Sequence, residues 1–242
     1  MKTDLRDGIA IWFCDTDAIE LSDDDAEALL APSEQQRASR FAFPHLRRRY
    51  RLGHALLRKI LAQELGCGPM RITIDVREGG KPFVAEGPEF NMSASGQWLA
   101  ICLGKEIDLG IDVEILRELD DMAELSRRCF SQQECRELEA QPEALKLRAF
   151  FRGWTRKEAV SKALGYGLAM DFRSFSIPLD GVEACTPVVR SSGFPGNEEW
   201  FVHPLRFESE IESAIAASKP IETVDVYHVG RDLSWTTEAR RQ

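Results

Sequence analysis

Apolar and polar positions along the 242-residue chain change period several times, and each change predicts an element. The first is an alternating strand, IAIWFC (Ile9–Cys14), followed by the acidic segment LSDDDAEALL with Ser22 as a helix cap. In HLRRRYRLGHALLRKILAQELG, residues Leu46, Tyr50, Gly53, Leu57, Ile60, Leu61 and Leu65 recur at helical spacing. They predict one long helix with a single apolar face, and Gly66 supplies its stop. Strict alternation of Ile72, Ile74 and Val76 makes MRITIDV a strand, and EFNMS, QWLAICLG and LGIDVEIL read as further short strands. The second half begins with helices. FSQQECRELEAQ carries an S-x-x-E capping box at Ser131 and Glu134, and a longer helix runs from Pro142 through Leu164. FSIPL, PVVRS, EWFVHPL and TVDVYHV then predict turn-rich strands, and the polar tail RDLSWTTEARRQ is expected to fray.

Each half thus combines one long helix with several short strands. That predicts an α+β fold of two lobes, residues 1–108 and 109–242, joined near Gly104–Gly110. A hydrophobic content of 43% is enough for a substantial core, and no repeat or low-complexity segment is visible. The start MKTDLRDG lacks the basic-then-apolar layout of a signal peptide, and no apolar run nears the ~20 residues of a membrane span. Six scattered cysteines without C-x-x-C spacing predict reduced thiols and a cytoplasmic protein. Four histidines far apart in sequence suggest no zinc site, so any metal would be held by carboxylates.

Three stretches carry candidate chemistry. In GIDVE (Gly110–Glu114) the strand period puts Asp112 and Glu114 on one face, about 7 Å apart. Such a pair is either a solvated polar face or two ligands of a cation, and Glu158 would complete an oxygen set suited to Mg²⁺. Glu158 has a competing local explanation, because Thr155 and Glu158 form a T-x-x-E capping box and Glu158 stands four residues before Lys162. The segment from Gln35 to Gln63 holds Arg37, Arg40, Arg47, Arg48, Arg49, Arg51, Arg58 and Lys59 with no acid, in a chain of net charge −9. It reads as a solvated helix face or as an anion site, to which Lys81 in GGKPF can add a point charge. FNMSASG (Phe90–Gly96) is a plain loop between strands, or a place where backbone N–H groups approach an anion.

Taken in order, GKP, FN-x-S-x-SG, GIDVE, FSQQE and WTRKEAVSKALGYGL resemble the 4′-phosphopantetheinyl transferases. The match is to the long, two-lobed type that activates carrier domains of peptide, polyketide and fatty-acid synthases, and it runs from about Ser33 to Ser176. The resemblance implies a pseudo-dimer of two similar lobes, each a long helix against a small, mostly antiparallel sheet, with coenzyme A in the cleft between them. It implies transfer of the 4′-phosphopantetheine arm to a serine of an apo acyl or peptidyl carrier protein, with release of 3′,5′-ADP. By the same resemblance Asp112, Glu114 and Glu158 would be the magnesium carboxylates. Glu158 would also take the serine proton, and Lys162 would stabilise or protonate the departing phosphate. Arg37, Arg49, Lys81 and Ser93 would face the nucleotide and its phosphates, and Lys157 joins the cofactor-binding set from inside the motif. A second copy of the chain is not required, so a monomer is expected.

One position departs from the family pattern. Where the family commonly has histidine in FN-x-S-H-S-G, with a contact to a coenzyme A phosphate, this chain has Ala94. Loss of one charge-assisted contact is expected to weaken binding by ~1.5–3 kcal/mol unless the arginine-rich segment compensates. Two other readings stay open at this level: a relative that binds coenzyme A or a carrier domain without transfer, and a nucleic-acid binder built on the basic helix. The second conflicts with the acidic pI near 5.1 and with the absence of any nucleic-acid motif.

Overall fold

A proline and a glycine set the limits of the long helix in the first half. In the computed structural model, which describes residues 8–181 and 184–237, β1 (Ile9–Asp15) leads to a short helix α1 (Asp23–Glu27). Ser22 caps α1 as expected, its hydroxyl accepting from the Asp25 N–H. A helix not foreseen, α2 (Pro32–Ser39), precedes α3 (Pro44–Leu65), which starts on Pro44 and stops where Gly66 turns left-handed at φ 66°. The buried face of α3 includes Leu52, Leu56, Leu57, Ile60 and Leu61, close to the predicted stripe.

The strand expected for MRITIDV does not form. Pro69–Arg71 is a 3₁₀ turn, and only β2 (Asp75–Val76) pairs with β3 (Pro82–Phe83). The cause is Arg58, whose buried guanidinium donates to the carbonyls of Pro69 and Ile72 at 2.9 and 3.0 Å. A side chain takes those carbonyls before a neighbouring strand can.

Glu34 of α2 is the counter-charge. It accepts from Arg58 Nε at 2.6 Å and from the Ala31 N–H at 2.8 Å, and lies 3.0 Å from His54 Nδ1. Burial opposes its charge, but the bonds from His54, Arg58 and Ala31 outweigh it and hold the carboxyl down at about 2. A depressed carboxylate stabilises the fold at all pH values above its unfolded value of about 4.3, and that stability drains as pH falls toward 2. Urea midpoints measured from pH 5 to pH 2 are therefore expected to fall more steeply for the wild type than for Glu34→Gln. Parallel slopes would show that Glu34 carries no acid-linked stability.

The strands form two larger sheets. β4 (Glu89–Ser95) and β5 (Trp98–Gly104) join β1 in a five-stranded sheet. After β6 (Leu109–Ile115) come α4 (Met122–Cys129), α5 (Gln132–Glu139) and α6 (Glu143–Leu164), the last closed by Gly165 at φ 77°. Two-residue strands β7 (Phe175–Ser176), β8 (Thr186–Pro187) and β9 (Val189–Arg190) follow, β7 pairing with β9. β10 (Phe201–Leu205) and β11 (Ile211–Ala217) complete a four-stranded sheet of order β6-β11-β10-β8.

The last strands, β12 (Val224–Val229) and β13 (Trp235–Thr237), return to the first sheet, whose order is β13-β12-β1-β5-β4. β12 runs parallel to β1 from Ile9 opposite Val224, and Trp12 stacks on Tyr227 at 5.0 Å and meets Trp235 edge-on at 6.0 Å. The region 109–242, expected as a second lobe, holds strands of both sheets, since 224–237 pairs into the first. Within the tail, a turn at 231–234 leads to the strand Trp235–Thr237; residues 238–242, like 1–7, lie outside the described ones.

Side chains sort the sheets into four layers. Trp12, Leu99, Ile101 and Leu103 pack on α3, while Ile9, Ile11, Phe13, Ala100 and Cys102 face Ile111, Val113, Ile211 and Ile215 of the second sheet. Ala214 and Ala216 on that sheet's outer face pack against Ala159, Val160 and Ala163 of α6. The order is helix, sheet, sheet, helix. At the seam β4 and β6 are stitched by side chains: Asn91 Oδ1 accepts from the Ile111 N–H at 3.0 Å and Ser95 Oγ from the Ile115 N–H at 3.2 Å. All six cysteines are free thiols, and no described helix is long and apolar enough to cross a membrane.

Candidate active site

α6 and β6 come together backbone to backbone. Gly110 makes this possible: a Cβ there would run into the Ala159 carbonyl oxygen and the Ala163 nitrogen. By the period of two, Asp112 and Glu114 share the face of Gly110, so the glycine sets how near α6 lies to both carboxylates. Gly110 escaped the residue-type reading because it carries no chemistry of its own.

The capping explanation of Glu158 fails. α6 begins at Glu143 with Pro142 as its N-cap, so Thr155 lies more than three turns inside the helix. Its hydroxyl donates back to the Arg152 carbonyl at 3.2 Å, and Glu158 has no helix end to cap. Nor does Lys162 pair with Glu158 among the described residues. Its ammonium donates to Asp112 Oδ1 at 2.7 Å, to Ser93 Oγ at 2.8 Å and to the Ile111 carbonyl at 3.3 Å. Ser93 closes the ring by donating to the same Asp112 oxygen at 2.8 Å. Two residues further along the same strands, Ser95 donates to Glu114 Oε2 at 2.7 Å, and Arg117 reaches that oxygen at 3.4 Å. Asn91 and Ser95, which residue type alone did not single out, take their place through the alternation Asn91, Ser93, Ser95 within FNMSASG.

Electrostatics at the site are those of crowded acids. Burial raises the Asp112 carboxyl against the pull of Lys162 and Ser93. Glu158 is pushed up to about 7, first by burial and then by the Asp112 carboxylate, with Lys162 offsetting part and Glu114 adding to it. Asp112 and Glu158 thus face each other's charge, and Asp112 Oδ2 is buried without a hydrogen-bond partner. An orphaned carboxylate oxygen beside a second, destabilised carboxyl is a donor set that fits a hard cation. Among the described residues, however, no three Asp, Glu, His or Cys side chains are gathered as a ready-made metal cluster.

The remaining expected site residues are dispersed. Arg37 is exposed on α2 and lines an open cavity with Ser33, Gln36, Arg40 and Phe41. Arg49 is half-buried and donates to the Gly96 carbonyl at 2.7 Å, at the end of the FNMSASG turn. Lys157 lies elsewhere. It is fully buried, donating to Phe172 and Phe175 carbonyls at 2.7 and 2.8 Å and pairing with Glu134 at 2.9 Å. The structure therefore corrects its expected place beside the nucleotide: its charge is spent on anchoring the segment after α6. Glu134 serves there too, capping α5 at the Ser131 N–H and accepting from the Ile177 N–H. Lys81 is buried as well, its ammonium on the Ala163 carbonyl at 3.0 Å.

The basic helix is less basic than its sequence. Arg48 and Arg51 pair with Asp23, Arg51 also with Glu27, and Arg58 with Glu34. Acids from α1 and α2 supply counter-charges to Arg48, Arg51 and Arg58, which leaves less free positive charge on this helix than its sequence suggests and disfavours a nucleic-acid surface there.

Comparisons with known proteins identify the family. The family model described as 4′-phosphopantetheinyl transferase superfamily matches residues 108–216, and that described as 4′-phosphopantetheinyl transferase, N-terminal, matches residues 22–105. The 4′-phosphopantetheinyl transferase HetI of Nostoc sp. is 39% identical over 171 residues, covering 68% of this chain and 72% of the relative. A 4′-phosphopantetheinyl transferase of Bacillus subtilis is 29% identical over 198 residues, 80% of this chain and 84% of the relative. The 4′-phosphopantetheinyl transferase Sfp of Bacillus subtilis is 29% identical over 154 residues, 63% of this chain and 67% of the relative. With matches on both sides of the β4–β6 seam, the chain belongs to the 4′-phosphopantetheinyl transferase superfamily and is a transferase of its long type.

Proposed function

We propose that the enzyme moves the phosphopantetheine arm of coenzyme A to a serine of an apo acyl or peptidyl carrier protein, releasing 3′,5′-ADP in a magnesium-dependent reaction. The observation that carries this reading is that Asp112 and Glu158, on the packed elements β6 and α6, feel each other's charge while one buried Asp112 oxygen is left without a partner. In this reading residues 9–104 with the returning strands 224–237 form one lobe and residues 109–217 the other. The lobes are a pseudo-dimer, coenzyme A lies between them, and one chain suffices as a monomer. Six free thiols support a cytoplasmic setting.

Asp112, Glu114 and Glu158 would hold the cation, which supplies charge neutralisation at the pyrophosphate when bound. The chain's own residues do the rest. Glu158 takes the proton of the attacking serine hydroxyl. The serine oxygen bonds to the β-phosphorus while the bond from that phosphorus to the bridging oxygen breaks, leaving with 3′,5′-ADP. Lys162 stands one helical turn beyond Glu158 and balances the leaving phosphate with an ammonium that Asp112 and Ser93 keep oriented. Arg37 and Arg49 supply guanidiniums for the nucleotide phosphates, and Ser93 holds Lys162 in register. Ala94 is exposed on β4, on the opposite face from Ser93, and presents no donor for a phosphate.

Intact-mass measurement on apo carrier proteins tests this. With coenzyme A and Mg²⁺ a carrier is expected to gain one phosphopantetheine, with EDTA none, and excess Mg²⁺ is expected to restore the gain. Undiminished transfer by metal-stripped enzyme would overturn the cation, and a panel of carriers left unmodified beside a working control enzyme would overturn the transfer.

A further inference from the structure

The turn Glu78–Lys81 presses on the far end of α6, the helix that brings Glu158 and Lys162 to the site. Lys81 Nζ donates to the carbonyl of Ala163 in the helix's last turn at 3.0 Å, with the Glu89 and Asp108 carboxylates 3.3 and 3.7 Å away. Its side chain is 4% exposed. One N–H is bonded to a carbonyl and two carboxylates stand within 4 Å, so this ammonium's charge is already opposed where it lies and a phosphate beside it would meet repulsion. A cation on the last carbonyls of a helix also complements the helix dipole.

Gly79 is a second, independent sign of the same contact. A Cβ on Gly79 would run into the Gly165 carbonyl oxygen, and one on Gly165 would touch Lys81 Cβ at 3.4 Å. The turn and the left-handed cap of α6 therefore interlock without room for a methyl group. The first belongs to the first lobe and the second to the other.

We propose that Lys81 and Gly79 form a strut between the lobes that fixes the C-terminal turn of α6, making Lys81 a positioning residue for Lys162 and Glu158 rather than a nucleotide contact. This rests on the reading above, in which α6 carries the reacting groups. Because Lys162 is one residue from the anchored carbonyl, slack in the strut passes directly to its ammonium.

The test compares Lys81→Met, Gly79→Ala and Arg37→Ala by steady-state kinetics and by hydrogen exchange at the Gly165 and Tyr166 amides, which bond to Lys162 and Ser161 carbonyls. For Lys81→Met and Gly79→Ala, kcat is expected to fall about 10- to 100-fold while KM for coenzyme A stays within about threefold. Exchange at those amides is expected to quicken about tenfold or more, and Arg37→Ala should leave it unchanged. A Lys81→Met enzyme with raised KM, normal kcat and normal exchange would overturn the strut in favour of nucleotide contact. Should Lys81→Met not fold, Gly79→Ala reports on the same interlock, and wild-type kinetics there would overturn it. A Glu158→Gln enzyme that turns over normally would instead sink the reading of α6, while the exchange data would still report on the strut.

Discussion

Replacing Glu158 with alanine is expected to slow transfer by about 10³-fold or more with little loss of stability. Both halves of that result follow from the surroundings of the carboxyl. It is 9% exposed, faces the charges of Asp112 and Glu114, and has no helix end to cap. A group under that repulsion contributes little to holding the fold, so its removal relieves crowding as much as it costs packing. In the proposed mechanism it is the base, and the neighbouring carboxylates Asp112 and Glu114 are already engaged by Lys162, Ser93 and Ser95. A missing general base alone accounts for about 10²–10⁴ in rate, and loss of a cation ligand adds to it. Single-turnover conversion of an apo carrier, followed by mass, gives the rate, and a thermal melt gives the stability. Transfer within tenfold of wild type would remove Glu158 from the chemistry. A fall in melting temperature as large as that of a core truncation would return it to a structural role.

The two long helices were legible because their signals are local. Pro44 and Gly66 bracket α3, Pro142 and Gly165 bracket α6, and both ends agree with the apolar spacing between them. The Ser131–Glu134 box forms as read, with both of its hydrogen bonds present. Strands β1 and β5 were also found, although they are apolar runs rather than alternating ones, since each is covered by α3 on one face and the second sheet on the other. β11 was missed for the same physical reason. Its sequence, IESAIAA, is buried at every position, but alanine and glutamate there suggest a helix, and only pairing with β6 makes it a strand.

Non-local contacts account for the other differences. Nothing near Val224–Val229 says that this segment will lie beside β1, more than two hundred residues earlier. Nothing in MRITIDV says that Arg58 will take its carbonyls. Charge was the most misleading signal. Lys81 and Lys157 read as ligand-facing cations, yet both ammoniums are buried on backbone carbonyls and carboxylates. The arginines of α3 looked unopposed because their partners, Asp23, Glu27 and Glu34, lie upstream of the acid-free segment. The carboxylates of GIDVE were different: two acids at a period of two on an otherwise apolar strand, one buried and one half-buried, need a reason to be there.

The reason Asp112 and Glu114 reach α6 at all is the glycine that opens their motif, and its replacement has the second large expected effect. In Gly110→Ala the new Cβ meets the Ala159 carbonyl oxygen and the Ala163 backbone, which cannot rotate aside as a side chain can. Either β6 or α6 must move. β6 is fixed by its seven-residue register with β11 and by the Asn91 and Ser95 stitches to β4, so the helix is the part that yields. Overpacking of this kind costs about 1–3 kcal/mol, which in a chain of this size lowers the melting temperature by about 2–12 °C. A catalytic cost adds to the stability cost. Displacing α6 by about 1 Å carries Glu158 and Lys162 away from Asp112 together, and a misplacement of that size costs about 10²-fold in rate. Coenzyme A affinity is expected to fall less, because Arg37 and Arg49 sit on the other lobe. Gly68→Ala is the control, since nothing lies within 4 Å of the Cβ it would add. Gly110→Ala with a wild-type melt and wild-type kcat would mean that α6 does not depend on this contact. The distance between the carboxylates and Lys162 would then be set by something other than the missing side chain.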